Sequence, residues 1–118
     1  MILDILILII ATLHVWFAVI EMFLWQKPIG LKAFKLDPEF AARSAKLASN
    51  QGLYNLFLSA GLIWSVFATN PSEAFNLKIF FLSCVAIAGI FGGITVSKRI
   101  FTIQGLPAIL ALILACYM

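Results

Sequence analysis

Two ionisable side chains stand in the first apolar stretch of the sequence, His14 and Glu21 in "LHVWFAVIEMFLW", seven residues apart. At 3.6 residues per turn that separation leaves an angular offset of only about 20°, so a helix places the imidazole and the carboxyl on one face. Phe17, Ala18 and Trp25 fill the same stripe and give it an aromatic wall. An ionisable residue inside a membrane span must be offset by a partner or by water, which makes it a functional-site hypothesis by default. Glu21 would serve as general acid or base, and His14 as a second catalytic candidate nearer mid-membrane. The structural alternatives are an ion pair of Glu21 with Lys46, Lys98 or Arg99, and a hydrogen bond from His14 to a neighbouring helix. Two ligands seven residues apart are a poor start for a tetrahedral metal site, so no metal is expected.

A second set of polar residues lies in "SNQGLYNLFLSAGLIW", residues 49–64, where Asn50, Gln51 and Asn55 interrupt an otherwise apolar run. Each carboxamide is costly to bury in hydrocarbon without a partner. Arg43, Lys46, Asn50, Tyr54, Gly61 and Ser65 recur at helical spacing on one face, and Gln51, Asn55 and Ser59 form another about 100° away. A helix polar on two faces contacts protein or a water-filled cavity on both, as it would near the centre of an oligomer. With Gln104 at the same depth, the expectation is a pocket lined by Glu21, Asn50, Gln51, Asn55 and Gln104, with Arg43 and Tyr54 among the ligand-binding residues. Its ligand would be a lipophilic or amphipathic small molecule, its polar head on the amides and its apolar part under Trp25, Tyr54 and Phe57.

The elements that must position these groups follow from composition. The chain has 118 residues, is 64% hydrophobic and 11% charged, and has a mean hydropathy of +1.10. That is the composition of a polytopic membrane protein, with the lipid bilayer as its first partner. The expected fold class is all-α, a four-helix transmembrane antiparallel bundle in one domain, residues 1–118. The spans read as residues 5–25, 47–69, 79–97 and 100–118. "DPEFAARSAK" supplies an Asp37 N-cap and Pro38 at the first helical position, so the second helix begins before its span does. "NPSEAFNL" reads as a tight turn on Asn70 and Pro71, and the last connection as little more than Lys98 and Arg99.

Of the eight basic residues, only Lys78 marks the second connection; the rest flank the first and third. The positive-inside rule then makes those two connections cytoplasmic and puts both termini on the other side of a bacterial inner membrane. The net charge of +3 lies in short loops rather than on a soluble face, which argues against nucleic acid. The N-terminal "MILDILILII" lacks a basic leader and reads as a retained span. Cys84 and Cys116 have no metal or disulfide spacing and read as small apolar residues.

In the last two spans the informative residues are small. Ala86, Gly89, Gly93 and Ser97 form one stripe, Ala108, Ala111 and Ala115 another, and both favour close helix packing. Pro107 falls early in the fourth span, where a local bend would free a carbonyl near Gln104. HExxH, GxSxG, paired-carboxylate and phosphate-binding glycine motifs are lacking, so zinc proteolysis, serine hydrolysis and nucleotide-driven transport find no support.

On "LHVWFAVIEMFLW", "NQGLYNLFLSAGLIW" and "QGLPAILALI" the chain resembles, over essentially its whole length, a family of small four-span bacterial and fungal membrane proteins catalogued as a domain of unknown function. More distantly it is similar to the membrane-associated glutathione and eicosanoid (MAPEG-like) enzymes. That similarity rests on length, topology, the basic first connection and "RSAKLASN", in which Arg43 and Asn50 match an arginine and an asparagine. It implies a homotrimeric scaffold with sites toward the cytoplasm, and glutathione as the possible cofactor. Leu53 stands where those enzymes carry a glutamate, and Ala108 and Ile109 follow Pro107 where they carry a reactive arginine. Two further classes remain open: a small transporter or channel lined by the amides, and a structural or partner-binding subunit in which they are interhelical glue.

Overall fold

The computed structural model describes residues 1–117. All regular structure among them is helical: α1 (Ile2–Val19), α2 (Pro28–Ala33), α3 (Pro38–Phe67), α4 (Pro71–Thr95), α5 (Lys98–Ile100) and α6 (Leu106–Tyr117). Two π-helical turns interrupt this order, Ile20–Leu24 directly after α1 and Phe101–Gly105 between α5 and α6. The chain divides into two compact units, residues 1–11 with 58–118 and residues 12–57.

Three helical runs are long and apolar enough to cross a bilayer: Ile2–Leu24, Pro71–Thr95 and Lys98–Tyr117. Their 23, 25 and 20 residues span about 30 Å or more at 1.5 Å per residue. The 30-residue α3 falls outside that set, because Glu39, Arg43 and Lys46 occupy its first turns and three amides its middle. The expectation of four comparably apolar spans is corrected accordingly. Large apolar side chains on the three apolar runs face outward, among them Ile5, Ile9, Phe23, Phe80, Ile87, Phe91, Leu110 and Ile113, as lipid contact requires.

The unit of residues 1–11 and 58–118 is built on small and branched side chains at helical spacing. Leu3, Ile7, Ile10 and Ala11 meet Leu62, Leu82, Val85, Ala86, Ala108, Ala111 and Ala115 in one buried cluster. In hydrocarbon such packing is driven by van der Waals contact rather than by expulsion of water, so close approach matters most. Gly89 meets Gly105 backbone to backbone, where a Cβ on Gly89 would collide with the amide and Cα of Gly105. The alanine and glycine stripes read from the sequence thus form a packed seam between α4 and the final helical run. Two polar links brace this unit: Ser59 donates to the Ala11 carbonyl at 2.8 Å, and Lys78 pairs with Asp4 at 2.9 Å.

Helix boundaries follow their capping residues more closely than hydropathy. Asn70 accepts from the Ser72 and Glu73 amides at 2.9 and 3.0 Å, and Pro71 takes the first helical position, so α4 starts at residue 71 and not at 79. Lys98 and Arg99 are helical rather than a connecting loop, the break falling at Val96 and Ser97. Pro107 therefore lies well inside the run Lys98–Tyr117. Its ring excludes the carbonyl four residues before it and offers no donor. The helix widens just upstream, and Leu106 N–H reaches the Phe101 carbonyl, five residues back. The bend expected near Gln104 is this π turn.

The unit of residues 12–57 contains the end of α1 with its π turn, α2 and most of α3. Asp37 accepts from Phe40 N–H at 3.2 Å, and α3 begins at Pro38 as the sequence predicts. Between them α2 ends in a paired-hydrogen-bond reversal: Leu36 N–H donates to the Leu31 carbonyl and Lys35 N–H to that of Lys32, with Lys35 in the left-handed region at φ 53°.

Candidate functional site

The carboxyl of Glu21 lies in the first π turn and is buried. Across from it, on α3, Asn55 is also buried, and its Nδ2 donates to Glu21 Oε1 at 2.6 Å. The partner the structure gives Glu21 is thus an amide, in place of the basic residue expected from the sequence. The bond fixes one carboxyl oxygen and orients the other. A π turn adds one residue to the helical repeat and re-aims the side chains within it, and such turns recur at functional sites.

Close approach of the two helices makes the bond possible. The inward face of α3 in this unit runs Ala41, Ala48, Gly52 and Asn55, all buried. A Cβ on Gly52 would stand 3.1 Å from the Ala18 carbonyl and 3.2 Å from Glu21 Cβ, so glycine lets α3 come against the turn that carries the carboxyl. The sequence analysis looked for small-residue stripes only in the last two spans; alanine or glycine at positions 41, 48 and 52 is the signal that would have found this one.

His14 is fully buried on the same helix, in keeping with the face it was expected to share with Glu21. Its ring meets Phe17 edge-on at 5.5 Å, Phe17 meets Phe34 at 6.4 Å, and Phe34 meets Trp25 at 5.2 Å. Trp25 Nε1 donates to Ser44 Oγ at 3.0 Å, and Ser44 donates in turn to the Phe40 carbonyl at 2.7 Å. Phe34, at the end of α2, and Ser44, on α3, are contributors the sequence reading did not name. The expected aromatic wall is therefore present, built by α1, α2 and α3 together.

The remaining expected residues stand apart from this arrangement. Asn50, Gln51, Tyr54 and Arg43 are exposed on the single chain. Gln51 thus does not share the environment of Asn55, although four residues separate the two by only about 40° of helix. Tyr54 packs its ring on Phe57 at 5.9 Å, with both largely exposed. Gln104 belongs to the other unit, in its π turn, and is half-buried. Two surface grooves lie in that unit, one lined by Asn70, Ser72, Glu73, Asn76, Leu77 and Phe80, the other by Ile90, Gly93, Ile94, Lys98, Phe101 and Thr102. The expected site residues line neither. Among the described residues no three His, Cys, Asp or Glu side chains cluster to hold a metal ion.

The family model described as "Protein of unknown function (DUF1304)" matches residues 8–116. The chain belongs to this family. It is also 33% identical over 97 residues to the uncharacterised protein YpaA of Lactococcus lactis subsp. lactis (strain IL1403), a match covering 80% of this chain and 79% of that one. No solved structure gives a significant match. DUF1304 membership thus spans both π turns, Glu21 and Asn55.

Proposed function

We propose that this DUF1304 protein is a four-span protein of the bacterial inner membrane, with both termini outside the cytoplasm, that binds or processes a lipophilic small molecule at Glu21. The observation that carries the reading is the buried Glu21 carboxyl, set in a π turn, held on one oxygen by Asn55 and flanked by the wall of His14, Phe17, Phe34 and Trp25. Glu21 acts as the acid or base and His14 as its deeper companion, while the aromatics cover the apolar part of the ligand. In this reading α3 is the fourth span, its lower hydropathy the consequence of the amides that serve the site and the assembly.

A homotrimer on a MAPEG-like scaffold completes the reading. It is supported by the exposure of Asn50, Gln51 and Tyr54 on a single chain, since carboxamides facing lipid are costly and a neighbouring subunit removes that cost. Glutathione enters only through that resemblance, and Leu53, Ala108 and Ile109 at the positions of its polar contacts weigh against it.

The test uses Glu21→Gln, which keeps an acceptor for Asn55 and removes the acid. Purified wild-type protein in lipid nanodiscs is extracted with solvent and its bound molecules identified by mass spectrometry. The expected result is a lipophilic molecule in near-stoichiometric amount with the wild type and its loss from Glu21→Gln at unchanged thermal stability. Identical extracts from the two proteins would leave the Glu21–Asn55 pair as a structural clasp and sink the reading.

A further inference from the structure

The hairpin joining α4 to α5 holds a feature independent of the Glu21 reading. Its groove has apolar walls, Ile90 and Ile94 from α4 and Phe101 from the final helical run, with Lys98 and Thr102 at its edge. Gly93 sets the depth of this junction: a Cβ there would stand 2.7 Å from Phe101 Cβ, so only a residue without a side chain lets the two helices close. Ile90 and Ile94 are exposed along the groove, and Lys98 and Arg99 are exposed at its end.

The charge of this corner is uncompensated. Residues 79–118 contain no Asp or Glu. The acidic residues of this unit are Asp4, which pairs with Lys78, and Glu73, in the first turn of α4. About 20 helical residues lie between Glu73 and the hairpin, roughly 30 Å along the axis. Thr102 directs its hydroxyl to the Lys98 carbonyl at 3.3 Å, so recognition at the edge falls to the two cations. Ser97, at the N-cap of the following helical run, makes no side-chain bond to its first turn, which leaves a further positive edge beside them.

We propose that this groove is a binding site for an anionic phospholipid of the cytoplasmic leaflet, its phosphate held by Lys98 and Arg99 and an acyl chain lying along Ile90, Ile94 and Phe101. The match is one of both halves of the molecule: a cationic end without a protein counter-ion, continuous with an exposed apolar trough at the depth of the first acyl carbons.

The experiment is native mass spectrometry of the full-length protein released from nanodiscs of equal phosphatidylglycerol and phosphatidylcholine with matched acyl chains. Wild type is expected to retain phosphatidylglycerol over phosphatidylcholine by about fivefold or more. Lys98→Gln/Arg99→Gln should bring the ratio close to one. Ile94→Trp, which fills the trough and keeps both cations, should lower the number of retained lipids. These substitutions are at exposed positions, and unchanged circular dichroism and melting temperature confirm that the fold is kept. Equal retention of the two lipids by wild type, or undiminished preference in Lys98→Gln/Arg99→Gln, would overturn the proposal. So would loss of the preference in Lys32→Gln/Lys35→Gln instead, or displacement of bound lipid by millimolar inorganic phosphate, which would make the site one for free anions.

Discussion

Truncating Asn55 to alanine isolates the contact on which the site depends. The amide donates to Glu21 at 2.6 Å with both side chains buried, so its removal strands a carboxyl oxygen that water does not readily reach. Stranding a buried polar group costs about 1 to 3 kcal/mol, while interhelical hydrogen bonds inside membranes average about 0.6 and reach about 1.7 kcal/mol. The coupling between the two side chains should therefore be about 1 kcal/mol. It is measured with a double-mutant cycle of Asn55→Ala, Glu21→Ala and the double variant, because the cycle cancels the small void each truncation leaves. Reversible unfolding in mixed micelles, followed by tryptophan fluorescence, supplies the four free energies. Glu21→Gln, which preserves a carbonyl acceptor, should lose less than about half of the Asn55→Ala effect. A coupling energy below about 0.3 kcal/mol would refute the reasoning, since residues in one buried hydrogen bond do not behave additively.

Three further outcomes follow from the geometry. Gly89→Ala should destabilise the protein by more than Gly52→Ala, because the new methyl at 89 meets the rigid backbone of Gly105 whereas at 52 its nearest neighbour is the flexible end of Met22; melting temperatures of the two variants decide this. Asn70→Ala removes the acceptor for two amides at the start of α4 and should cost about 1 kcal/mol, with early fraying of residues 71–74 visible by hydrogen exchange. Lys78→Gln should cost less than about 1 kcal/mol, an effect that shrinks in high salt, because its partner Asp4 is 39% exposed.

Much of the local structure was legible from capping chemistry. Asp37 and Pro38 mark the start of α3, and the alanines of α6 are the seam the sequence predicts. Hydropathy misled at α4, because residues 71–78 are too polar for a bilayer yet begin with Asn70 and Pro71 and are good helix formers. Hydropathy reports preference for lipid, not helicity. The shared face of His14 and Glu21 followed from their spacing, but the separation of Asn55 from Gln51 did not. Positions 40° apart are divided by where a neighbouring helix touches, and Gly52 decides that. The π turns were the least legible feature: Pro107 gives a reason for the second, while residues 20–24 contain no proline or glycine that would announce the first.

The central claim is that Glu21 and Asn55 face a bound molecule within the membrane. Electron cryomicroscopy of the wild-type protein in lipid nanodiscs tests it most directly. The account predicts non-protein density against the wall of His14, Phe17, Phe34 and Trp25, ending within hydrogen-bonding distance of the Glu21 oxygen that Asn55 does not hold. Protein side chains filling every contact around Glu21 and Asn55, with no such density, would contradict it.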